Sequence, residues 1–228
     1  MVATAANMQF VMEEIVAEFK KENRIEISII PGSSGKLSAQ ILGGAPYDIF
    51  VSADRFYPDE IAKAGKNKGL PRIYAYGKLI LLSLSPTIKA DLNELSSLDV
   101  KHIAIANPKT APYGKAAEQA LRSGDLFEKI KNKLVFGESV AQTNQFLISG
   151  AAELAFTSKS TLYLLEKSQF KDYVELDRKS YEAIAQSAVL INNKNQTEAE
   201  KFYLFLFSDK AKAILLKNGY DIQSDEVE

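Results

Sequence analysis

The sequence predicts an α/β protein of two units, each a sheet flanked by helices. Three observations predict it. Strand-like and helix-like segments alternate through most of the 228 residues. The alternation falls into two series, one ending near Ala64 and one starting near His102, separated by a long apolar run. Hydrophobic residues at 46% and charged residues at 25% supply apolar material for one or two buried cores, in a length that suits one large or two small domains.

Each element has its own warrant. Val2–Ala6 is a short apolar run, read as a buried strand. From Met8 to Glu22 the apolar residues Met8, Val11, Met12, Ile15, Val16 and Phe19 recur at helical spacing, with Glu13, Glu14, Glu18, Lys20 and Lys21 on the far face. Ile25–Ile30 reads as the next strand, Pro31–Gly35 as a turn, and Leu37–Leu42 as a helix stopped by Gly43-Gly44-Ala45-Pro46. Asp48–Ala53 is a third strand and Asp59–Ala64 a third helix. This β-α-β-α-β-α order predicts parallel strands with helices on both faces. Tyr76–Leu84 is a long apolar strand. The second series is strand His102–Ala106, helix Tyr113–Leu121, strand Lys133–Phe136, helix Ala141–Ile148 and strand Glu153–Thr157. Strands near Tyr173–Leu176 and Ala183–Ile191 follow, then helices Glu198–Phe207 and Ala211–Lys217. Ser224–Glu228 reads as a disordered acidic end. If both long strands cross between the units, the first lobe is discontinuous, comprising 1–80 and 190–228, and the second lobe is 81–189.

Composition narrows the chemistry. The formal net charge of −1 gives no global field toward nucleic acid or an anionic membrane. Cysteine is absent and His102 is the single histidine, so thiolate metal sites, a Cys nucleophile and a His-rich zinc site are excluded. No apolar run reaches the ~20 residues that span a bilayer. Met1 reads as a start left by removal of an export signal; a cytosolic chain with a very short N-terminus is the alternative.

In open α/β sheets ligands bind beyond the carboxyl ends of strands, where the N–H groups of the next helix point outward. Four such turns stand out. At Ala5-Ala6-Asn7-Met8, Asn7 either caps the first helix or aims its amide at a ligand. At Pro31-Gly32-Ser33-Ser34-Gly35-Lys36, glycine permits close backbone approach and the hydroxyls are donors, although the spacing is not that of a phosphate-binding P-loop. At Asn107–Gly114, Pro112 suits a helix start, and Tyr113 offers a phenol and an N–H or packs as an aromatic. At Gly137–Ala141, Val140 has only a backbone N–H to give. Together these describe four helix N-termini, two from each lobe, facing a shared cleft with neutral donors. Such a site suits a fully deprotonated oxyanion.

These residues resemble the periplasmic molybdate-binding (ModA-type) proteins over nearly the whole chain. The resemblance rests on Ala5-Ala6-Asn7-Met8, on Ser33-Ser34-Gly35-Lys36-Leu37 and on Ala106-Asn107-Pro108. It rests also on Ala111-Pro112-Tyr113-Gly114, on Lys217-Asn218-Gly219-Tyr220 and most specifically on Gly44-Ala45-Pro46-Tyr47-Asp48-Ile49-Phe50-Val51-Ser52-Ala53-Asp54. It implies a two-lobed periplasmic-binding-protein type II fold, each lobe a mixed sheet flanked by helices, with the ligand in the interlobe cleft. It implies molybdate or tungstate held by Asn7, Ser34, Tyr113 and Val140, with Ala6 and Ser33 as further candidates. Asn7 would donate through side chain or backbone, Ser34 through its hydroxyl and N–H, Tyr113 and Val140 mainly through backbone N–H. Many members carry Ser in place of Asn7 and a small residue in place of Tyr113, and some place a Tyr hydroxyl where this chain has the shorter Thr157. The implied protein is a monomeric receptor, periplasmic, free or lipid-anchored, serving the membrane permease of an ABC importer. It has no catalytic residues, no cofactor and no metal beyond that of the oxyanion.

Other readings compete. One is a receptor for sulfate or phosphate, although a phosphate site calls for a carboxylate acceptor that the four turns lack. Another is the ligand-sensing domain of a transcription regulator, but no helix-turn-helix segment or basic patch precedes the domain. An enzyme on this fold lacks a visible nucleophile–base pair. Asp48 and Asp54 read as turn or capping residues, Tyr74 and Tyr76 as strand residues on one face, and His102 as a surface residue.

Overall fold

The computed structural model describes residues 1–165, 171–193 and 196–222. The acidic end, Ser224–Glu228, lies outside the described residues. The chain divides into two compact units, Met1–Gly77 with Ala185–Glu228, and Lys78–Ile184. The first unit begins with β1 (Val2–Ala5), α1 (Gln9–Lys20), β2 (Ile29–Gly32), α2 (Ser34–Leu42), β3 (Ile49–Val51), α3 (Phe56–Lys63) and β4 (Asn67–Gly77). The second holds β5 (Leu79–Ser83), β6 (Ile103–Ala106), α4 (Pro112–Ser123), α5 (Phe127–Ile130), β7 (Leu134–Gly137), α6 (Val140–Ile148), β8 (Leu154–Ser158), α7 (Thr161–Leu164) and β9 (Asp172–Glu175). The chain then returns to the first unit with β10 (Ile184–Ile191), α8 (Gln196–Phe205) and α9 (Asp209–Lys217).

The sheet of the first unit runs β2-β1-β3-β10-β4. β1 lies parallel to β2 and β3, and β10 lies antiparallel to β3 with Val51 opposite Ala188. The sheet is therefore mixed, not parallel throughout as the alternation alone suggests, because the strand returning from the second unit enters in the opposite direction. Alternate strand residues serve opposite faces. Val2, Ile49, Val51, Ala188 and Leu190 meet α1, α8 and α9 in one core, while Ala3, Phe50, Val189 and Ile191 meet α2 and α3 in the other. On the first face Phe19 packs edge-on against Phe202, with ring centroids 5.1 Å apart.

Three sequence readings need correction here. The strand expected at 25–30 begins at Ile29, where the register with β1 begins at Val2. Ile25 and Ile27 still pack partly buried on the core. Pro31 sits within β2, which is allowed because β2 is an edge strand. The single strand read at 76–84 is two strands, β4 and β5, in different sheets, separated by Lys78. The return crossing falls at Ile184–Ala185 and not near 190, since β10 pairs inside the first sheet along 188–190.

The second unit repeats the plan in the order β7-β6-β8-β5-β9. β6 is parallel to β7 and β8, while β5 is antiparallel to β8 and β9. Position by position, β7, β6, β8, β5 and β9 stand where β2, β1, β3, β10 and β4 stand in the first. Ile80, Leu82, Ala104 and Ala155 form a core with Leu147 of α6, and α4 packs over β6 and β8.

Candidate functional site

Each unit presents strand-to-helix turns at the carboxyl ends of its parallel strands, the place where such sheets bind ligands, and two in each carry residues that the sequence singles out. In the first unit, β1 runs into a single 3₁₀ turn, Ala6–Met8, before α1. Ala6 and Asn7 are buried there. Asn7 does not cap: no side-chain capping bond exists at the 3₁₀ turn or at α1. Its amide nitrogen donates instead to Gln186 Oε1 at 2.9 Å and to the Tyr220 hydroxyl oxygen at 3.0 Å. The Tyr220 hydroxyl in turn donates to the Asn7 carbonyl at 2.9 Å. An amide nitrogen carries two hydrogens, so the two bonds occupy it. The capping alternative for Asn7 gives way to a clamp between Gln186 and Tyr220.

The β2–α2 turn differs from expectation in a useful way. The helix starts at Ser34, three residues before the periodicity placed it, so Ser33 is the N-cap and Ser34 the first helical residue. A serine at N-cap normally turns its oxygen onto the helix N–H groups, yet Ser33 makes no such bond. Its Oγ is buried without any hydrogen-bond partner among the described residues, a condition shared there only by Thr4 Oγ1 inside β1. Ser34 Oγ accepts from the Ala53 N–H at 3.0 Å, which leaves its own hydrogen to donate.

In the second unit, β6 leads to α4 with Pro112 at the helix start and Tyr113 in the first turn. The Tyr113 phenol is almost wholly buried and accepts from Ser158 Oγ at 2.9 Å, with Ser160 Oγ 2.9 Å from the same serine oxygen. Gly114 lets α4 close on the strand end: a Cβ there would lie 2.1 Å from the Ala106 carbonyl oxygen. β7 leads to α6, where Ser139 is the N-cap, again without a side-chain capping bond, and Val140 is the first helical residue. Its N–H belongs to the turn that has no acceptor within the helix. Thr157 is occupied elsewhere: its hydroxyl donates to Asn144 Oδ1 at 2.6 Å and lies 3.1 Å from Thr161 Oγ1.

All of these donors are neutral. Asp54 Oδ1 accepts from Ser52 Oγ and from the Tyr57 N–H at the start of α3, a capping role. Asp48 holds the N-terminal amine and Asn193. Tyr74 is a buried strand residue whose hydroxyl donates to Gln186 Oε1 at 2.9 Å. His102 is exposed. Among the described residues no group of three or more His, Cys, Asp or Glu side chains is placed to hold a metal ion, and no helix is long and apolar enough to cross a membrane.

Sequence reasoning missed Gln186, Tyr220 and Ser158, the residues that fix the turns. One signal was available: Gln186 is a lone amide in an apolar strand, and buried amides need partners.

Comparison with known proteins agrees with this architecture. Residues 1–221 match the family model of bacterial extracellular solute-binding proteins. The molybdate-binding protein ModA of Azotobacter vinelandii is 36% identical over 225 residues, covering 97% of this chain and 89% of its own. ModA of Rhodobacter capsulatus is 34% identical, covering 96% and 86%. The solved structure of the Azotobacter vinelandii periplasmic molybdate-binding protein superposes with a TM-score of 0.91 at 33% identity, covering 98% of this chain and 99% of that one.

Proposed function

The chain belongs to the bacterial extracellular solute-binding proteins and to their ModA-type members, and on that premise we propose that it captures molybdate or tungstate with neutral donors and delivers it to an ABC importer. One observation carries the site assignment: the Ser33 hydroxyl is buried at the start of α2 with no hydrogen-bond partner among the described residues. Leaving a buried hydroxyl unpaired costs ~1–3 kcal/mol. An oxyanion oxygen at that helix start removes the penalty and gains from the oriented N–H groups behind it.

In this reading the first unit offers Ser33, Ser34 and the backbone around Ala6 and Asn7 as donors, and the second offers the N–H groups of Tyr113 and Val140. Donors of this kind suit a doubly charged, fully deprotonated tetrahedron, which only accepts. A protonated phosphate would bring an O–H with no acceptor to meet it. The protein acts by binding, without chemistry and without a cofactor. It works as a monomer outside the cytoplasmic membrane, free or lipid-anchored, and hands its cargo to a membrane permease.

Calorimetry with molybdate tests this. Ser33→Ala should weaken binding by about tenfold to a hundredfold, the worth of a hydrogen bond to a charged group. It should leave the ligand-free melting temperature unchanged or higher, because the hydroxyl has no partner to lose. Ser34→Ala should weaken binding and also lower ligand-free stability, since Ala53 loses its acceptor. Wild-type affinity in Ser33→Ala would reject the assignment. Thermal shifts with molybdate, tungstate, sulfate and phosphate in parallel set the ligand preference.

A further inference from the structure

We infer that Gln186 is a positioning residue for the anion site, acting through Asn7 without touching the ligand; this rests on the proposed oxyanion function. Gln186 lies on β10, and its Oε1 accepts from two buried donors, Asn7 Nδ2 at 2.9 Å and the Tyr74 hydroxyl at 2.9 Å. Tyr74 also approaches the Ser52 carbonyl at 3.2 Å, at the carboxyl end of β3. Asn7 is held a second time by Tyr220, which accepts from the amide and donates to the Asn7 carbonyl. The 3₁₀ turn is thus gripped at its side chain and at its main chain by residues 179 and 213 positions away.

The turn is buried, with Met8 in the core, and the Gln9 N–H donates to the Ala6 carbonyl. It is three residues long and carries no side-chain capping bond. A 3₁₀ turn at a helix start has poorer hydrogen-bond geometry than the helix that follows it. Donors that bind an anion must already point the right way, since orienting them on binding spends affinity. The Gln186 and Tyr220 bonds supply that orientation. Gln186 also stands two residues beyond the chain crossing at Ile184–Ala185, so the strand that re-enters the first unit reaches the donor turn directly.

The test is a double-mutant cycle. Gln186→Met keeps the length and bulk of the side chain and removes the amide. In the otherwise native protein it should weaken molybdate binding by about tenfold; in an Asn7→Ala background it should change affinity by less than about twofold, because its effect passes through Asn7. Equal losses in both backgrounds would overturn the inference. A second readout needs no ligand: in Gln186→Met the Asn7 side-chain amide should exchange hydrogen faster, while amides of α3 stay protected. Unchanged Asn7 exchange would overturn the inference even if molybdate binding is confirmed. If native protein ignores molybdate while Asn7 exchange responds to Gln186→Met, the functional reading fails and the clamp stands.

Discussion

The two units share one strand plan, yet they spend their hydroxyl groups differently. In the first, among the described residues, Ser33 Oγ has no partner and Ser34 Oγ accepts from the Ala53 N–H. In the second, Tyr113, Thr157, Ser158 and Thr161 are bonded to one another or to Asn144. The corresponding helix starts are Ser33-Ser34 and Ser139-Val140, and the second has no side-chain hydroxyl at its first helical residue. A common topology therefore fixes where donors stand, and local side-chain bonding decides whether hydroxyls or only peptide groups are offered. The difference is sharpest at the strand ends: a Cβ on Gly32 would meet the Leu37 side chain at 3.1 Å, whereas on Gly137 it would meet the Thr143 backbone nitrogen at 2.8 Å.

The largest expected effects fall at two glycines of the second unit, Gly114 and Gly137. Gly114→Ala drives a methyl into a carbonyl, beyond the ~1–3 kcal/mol usual for overpacking, and should abolish binding and sharply lower the melting temperature. Gly137→Ala should follow closely. Gly32→Ala should cost far less, because Leu37 can change rotamer. Equal melting temperatures for Gly32→Ala and Gly137→Ala would break the contrast.

Val140→Pro gives a smaller effect of different meaning. Proline suits the first helical position, and the extended Ser139 (φ −152°, ψ 172°) accepts a following proline. Helix content by circular dichroism should persist while molybdate affinity falls about tenfold for the lost N–H. Val140→Ala should bind as the native protein does. If Val140→Pro binds normally, the second unit's peptide donors are assigned wrongly.

The smallest effect is a pH dependence in the second unit. The Lys115 ammonium, bonded to Glu182, holds that carboxyl below its usual range. A lowered folded value means stability present above the unfolded value of about 4.3 and lost as pH falls through the folded value. The melting temperatures of native protein and Glu182→Gln should differ at pH 6 and converge in strong acid. A gap that widens on acidification would contradict the assignment.

Much of this was legible in the sequence. The element order follows from apolar spacing, and the turns at Ser33-Ser34 and Val140 stand out because strand, small or glycine residues and helix follow in succession. The direction of β10 was not legible, since Ala183–Ile191 has the same pattern in either orientation. Nor was the commitment of Asn7: its partners, Gln186 and Tyr220, are brought to it only by the fold. Ser33 was visible as a donor, but its lack of a partner is a property of packing and not of composition.

The strand order of the first unit also constrains how the chain can be assembled. β4 precedes β10 in sequence but lies beyond it in the sheet. Nascent chain up to Gly77 therefore leaves β3 with a bare hydrogen-bonding edge and β4 with no strand to pair with. Residues 78–184 are contiguous and can complete their own sheet first. Only afterwards does the returning strand slot into the gap, so the amino-terminal sheet is an open template for wrong pairing until the last fifth of the polypeptide arrives.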